Sequence, residues 1–141
     1  MKHRELLATA CLVAGMCLQA SAQDGNKAWQ GVWQSMLDGQ PGAIVTLAKD
    51  TGRLGGTIVL NMINNENGQT RVFESEAHVL VSPSLNDKTL TFELKNPRTP
   101  TGMMDFTMML KPDGTTTLHC TNCKGAPVVE LTKEWRDGGP R

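Results

Sequence analysis

Turn signals set the strongest limit on how this chain can fold. Asp38-Gly39, Asp50-Thr51-Gly52, Asn67-Gly68, Asn86-Asp87 and Pro112-Asp113-Gly114 recur at short intervals. Between them, apolar and polar side chains alternate, and no stretch keeps a helical period over three turns. Period-two runs bounded by Gly, Asn, Asp and Pro specify antiparallel strands joined by tight hairpins. Eight runs are expected, at 28–37, 43–49, 53–63, 71–81, 88–95, 103–111, 115–120 and 128–133. Gly55-Gly56 inside the third suggests a bulge or bend. Ser82-Pro83-Ser84 is expected to end the fourth.

Alternation also assigns faces. Leu90, Phe92 and Leu94 point one way, against Thr89, Thr91, Glu93 and Lys95. Met104, Phe106, Met108 and Leu110 oppose Met103, Asp105, Thr107 and Met109. In the fourth run Phe73, Ala77, Val79 and Val81 share one side, with Glu74, Glu76 and His78 on the other. One dry and one wet face fits an antiparallel sheet. The expected fold is therefore all-β, an eight-stranded antiparallel up-and-down barrel, with a two-sheet β-sandwich as the alternative. Eight strands enclose an interior wide enough for side chains or one small ligand.

Residues 1–22 read as a signal peptide. Lys2, His3 and Arg4 precede an apolar run from Leu6 to Leu18, and Ala20-Ser21-Ala22 supplies a small-x-small cleavage pattern. The run is shorter than the roughly 20 residues a membrane span needs. Cys11 and Cys17 lie in unsuitable contexts for lipidation. The product is then an exported, periplasmic or extracellular domain over 23–141, the size of one domain. The formal net charge is zero, with no basic run. Such a chain lacks the electrostatic footprint of a nucleic-acid binder and the polybasic or amphipathic segment of a membrane-surface protein.

Chemistry-bearing groups are few. Cys120 and Cys123 flank Thr121-Asn122, and in an oxidising compartment such a pair is read first as a disulfide closing a hairpin. A redox or zinc role competes weakly, because the context is strand and turn and His119 points to the opposite face. Glu74, Glu76 and His78 are spaced about 7 Å apart along one face, the pattern of a solvated outer surface more than of a metal site. Met103, Met104, Met108 and Met109 invite a copper(I) reading, against core or pocket lining. His78 and His119 accompany no nucleophile signature. No catalytic residue, metal or cofactor is assigned.

Gly31-Val32-Trp33 on the first strand and Thr132-Lys133-Glu134-Trp135-Arg136 at the end resemble the calycin superfamily of lipocalin- and avidin-like barrels. The resemblance implies that Gly31 and Trp33 close one end of the barrel, with Lys133 or Arg136 packed over the tryptophan. Trp29, Gly31 and Trp33 would alternate onto one strand face. The leading functional expectation is a non-catalytic domain holding a small apolar ligand, lined by Trp33, Phe92, Met104, Phe106 and Met108. The alternatives are a protein–protein module, such as an exported hydrolase inhibitor presenting the loop 96–102, and a structural envelope protein.

Overall fold

The structure, a computed structural model, describes residues 25–96, 98–99 and 102–134. The expected signal peptide and cleavage site lie outside them, as do Trp135 and Arg136. A short helical turn over residues 25–29 leads into nine strands. These are β1 (Gly31–Leu37), β2 (Gln40–Asp50), β3 (Arg53–Glu66), β4 (Gln69–Val79), β5 (Val81–Asn86), β6 (Thr89–Lys95), β7 (Met103–Leu110), β8 (Thr116–Cys120) and β9 (Val129–Lys133). They form one antiparallel sheet, in the order β4-β3-β2-β1-β9-β8-β7-β6-β5, curled into a half-barrel.

The all-β, up-and-down reading holds, with nine strands in place of eight. The additional strand is β5, in the segment expected to break the chain. Its pairing with β6 slips between Val81 and Ser84, and Ser82 adopts a φ of 48°. Pro83 thus sits within a bulge on an edge strand, where a missing N–H forfeits no central ladder bond. The chain passes from β4 to β5 through the single buried residue Leu80, exchanging β3 for β6 as its neighbour. β4 and β5 do not pair, and this leaves a seam. Leu80 N–H donates to Gly56 O across the corner (3.0 Å).

The hairpins follow their turn residues. Asp38–Gly39, Thr51–Gly52 and Asn67–Gly68 hold both residues at positive φ, 49°/79°, 47°/82° and 54°/74°. That conformation matches the right-handed twist of the flanking strands. Opposite β2, β1 also pairs with β9, through Trp33↔Lys133 and Gln34↔Thr132. The first and last strands thereby join the two halves of the sheet.

One core fills the concave side. Trp33 of β1, Val45 and Leu47 of β2, Ile58 of β3, Leu90, Phe92 and Leu94 of β6, Met108 of β7, Leu118 of β8 and Leu131 of β9 are buried together. Phe92 and Phe106 are cross-strand partners with stacked rings, centroids 5.6 Å apart. Faces on β6 and β7 follow the sequence pattern, but those on β4 are reversed. His78 pairs with core-facing Ile58 and Glu76 with Leu60, so both lie half-buried on the inner side. Their side chains meet at 3.4 Å. Phe73 and Val79 are 60% and 70% exposed. The register slips between Met62 and Ile63, leaving Phe73 as the unpaired residue of a bulge. Glu76 and His78 therefore do not form the outer face expected of them.

Candidate functional site

Among the described residues, a cavity of about 770 Å³ opens at one mouth of the half-barrel. Its wall draws on the end of β1, the start of β2, the middle of β3, β7, β8 and the loop into β9. Leu37, Ala43, Leu60, Phe106, Leu118 and Val129 make it largely apolar. Small-molecule sites are commonly clefts of roughly 300–1,000 Å³ with apolar walls and few polar groups.

Local irregularities shape this wall. β1 changes register between Gln34 and Met36, which leaves Ser35 without a cross-strand partner. The Ser35 hydroxyl accepts the Ala43 N–H at 2.8 Å, so the bulge leaves no orphaned amide there. Asn61 ties β3 to the entry of β2, donating to Pro41 O (2.8 Å) and accepting from Ser75 Oγ (2.6 Å). On the rim, Glu130 is paired with Lys111, which holds the Lys111 ammonium above its ordinary pKa through that hydrogen bond.

The far wall depends on the cysteines. Cys120 and Cys123 stand at disulfide distance, Cα atoms 5.4 Å apart, and both line the cavity. They do not close a hairpin across a two-residue turn. β9 begins at Val129, and Leu118 pairs with Val129, so the bridge staples the first turn of a longer loop. Ala126 N–H donates to Cys123 O (3.2 Å), continuing that turn. Asn122 fastens the loop to β7: its Oδ1 accepts Asp105 N–H (2.8 Å) and its Nδ2 donates to Met103 O (3.1 Å).

Of the residues expected to line a ligand site, Phe106 is on the cavity wall. Trp33, Phe92 and Met108 are 1%, 2% and 0% exposed within the core, and Met104 packs partly buried against it. Ser35, Asn61, Ala126 and Pro127 carry no local signal in the sequence. They reach the cavity through a bulge, a strand middle and a loop.

The opposite, tryptophan-bearing region is packed. Trp29 lies on the helical turn and not on a strand, so it does not alternate with Trp33; both are buried, with centroids 6.2 Å apart. Trp33 Nε1–H donates to Trp29 O at 2.9 Å. Between them Gly31 adopts a φ of 128°, a conformation that L side chains rarely take and that turns the helical segment into the strand. Lys133 Nζ stands 5.5 Å from the Trp33 ring centroid and donates to Ala28 O at 3.1 Å. That placement combines a cation–π contact with closure of the entry turn.

Among the described residues, no group of three or more His, Cys, Asp or Glu is placed to hold a metal ion. Within the same residues, no helix is long and apolar enough to cross a membrane. No protein-family model, curated protein or solved structure matches the chain.

Proposed function

We propose that this chain is an exported, non-catalytic binding domain that holds a small, mostly apolar ligand at the mouth of its half-barrel. The observation that carries the reading is the cavity of about 770 Å³, walled by apolar side chains from both halves of the sheet. The Gly31–Trp33 signature and its likeness to calycin barrels support the same reading, since the mouths of β-barrels are common small-molecule sites. Native mass spectrometry of the protein purified from its host should show a co-purifying small molecule. Lack of any such molecule, together with failure of the protein to bind a neutral fluorescent apolar probe, overturns the proposal.

One observation favours a second reading, a protein–protein module. β4 is an edge strand carrying exposed Phe73 and Val79. An unpaired edge is a template for an added strand. A pull-down whose partner is lost in the Phe73→Ser, Val79→Ser double variant supports this reading, and a partner retained by that variant counts against it.

A further inference from the structure

The polar groups on the cavity wall are not equivalent. Asn61 is only half-buried, with one of its two amide hydrogens on Pro41 O and its carbonyl oxygen accepting from Ser75 Oγ, and Glu130 is paired with Lys111. Ser35 differs. Its side-chain oxygen accepts the Ala43 N–H, but a hydroxyl also carries one donor hydrogen. Among the described residues that hydrogen has no acceptor. Ser35 is 8% exposed and lies on the cavity wall, so the unused donor belongs to a mostly apolar chamber. Its neighbour keeps the approach open: a Cβ added at Gly42, also on the wall, would stand 2.9 Å from Ser35 Oγ.

Resting on the ligand-binding reading above, we infer that Ser35 is the polar anchor of the cavity. The matching ligand class is an apolar molecule bearing one acceptor oxygen, such as a ketone, ester or ether. A hydroxyl open to solvent exchanges its bond to water for whatever a ligand offers in its place. A hydrocarbon displaces that water and leaves the donor unpaired in an apolar site, whereas a ligand oxygen replaces the lost bond. Sites built around a buried polar group discriminate against ligands that leave it unpaired.

The test uses a matched pair, 2-acetylnaphthalene and 2-ethylnaphthalene, which differ in one carbonyl oxygen. Each displaces N-phenyl-1-naphthylamine from the wild-type protein and from Ser35→Ala, and the difference in aqueous solvation of the two compounds cancels in the double comparison. Ser35→Ala should weaken the ketone roughly tenfold relative to the hydrocarbon. An equal change for both compounds assigns Ser35 a purely structural role and overturns the inference. Failure of both compounds and of the probe to bind the wild-type protein removes the ligand-binding reading itself. If Ser35→Ala does not fold, Ser35→Cys, close in size with a weak S–H donor, takes its place. The same selective loss of the ketone is expected there, and an unchanged ratio overturns the assignment.

Discussion

The two residues that set the entry to the sheet act by different means. Trp33 fills volume: it is 1% exposed, packed against Trp29 and covered by Lys133. Trp33→Ala should cost about 3–5 kcal/mol, by lost burial and a cavity that neighbours refill only in part. Chemical denaturation measures this, and an unchanged midpoint removes the plugging role. Gly31 instead supplies a backbone angle. At a φ of 128° a Cβ is strained whatever room surrounds it, so Gly31→Ala should destabilise by about 1–3 kcal/mol. Trp33 was legible in the sequence as a residue to single out, through the Gly-x-Trp pattern. The φ requirement behind its glycine was not, because alternation placed Trp29 on a strand when it occupies a helical turn.

Among the elements, the hairpins were the most legible, because Asp-Gly and Asn-Gly pairs state their own turn geometry. The turn after β7 adds a pH-dependent contribution. Asp113 accepts hydrogen bonds from the backbone N–H (2.9 Å) and hydroxyl (2.6 Å) of Thr115. These bonds hold its carboxyl below the usual range, the hydroxyl bond contributing most. A folded-state pKa below the unfolded one stabilises the fold above the unfolded value. That stabilisation is lost as pH falls through the folded value. Asp113→Ala should therefore lower the melting temperature at neutral pH, with the gap to wild type narrowing below about pH 4. The loop into β9 depends on its bridge in another way. Closing a ring this short contributes about 2 kcal/mol in the chain-entropy estimate. The Cys120→Ser, Cys123→Ser variant should lose that much stability and bind the apolar probe more weakly, since both residues line the cavity. Two features hid from the sequence at this scale. β5 was masked by Ser82-Pro83-Ser84, a breaker in a central strand but tolerable in an edge bulge. The faces of β4 were reversed because the strand turns apolar Phe73 and Val79 to solvent and Glu76 and His78 inward, against the burial preference on which face assignment depends.

For the whole molecule, the seam between β4 and β5 divides the sheet into regions of unequal protection. β1 and β2 have neighbours on both sides, while β4 and β5 each have one. Native-state hydrogen exchange should find the amides on the free edges of β4 and β5 exchanging first, with those of β1, β2 and β9 protected to the global limit. Uniform protection across the nine strands contradicts an open seam. The candidate cavity was the least legible feature because no single element owns it. Its wall is assembled from strand ends, a bulge and a stapled loop that meet only after the sheet has curled.

The pairing of β1 with β9 also bears on folding kinetics. Lys133 reaches back to Ala28, 105 residues earlier in the chain. β1 to β4 can meander from neighbour to neighbour as they are made, but the second edge of β1 stays unsatisfied until nearly the whole chain is present. The entropy of closing so long a loop grows only logarithmically with its length. It must nonetheless be met before the Trp33–Lys133 contact can offset it. Such non-local closure places folding on the order of milliseconds to seconds. Until then, the outer edge of β1 is open to pairing with the wrong chain.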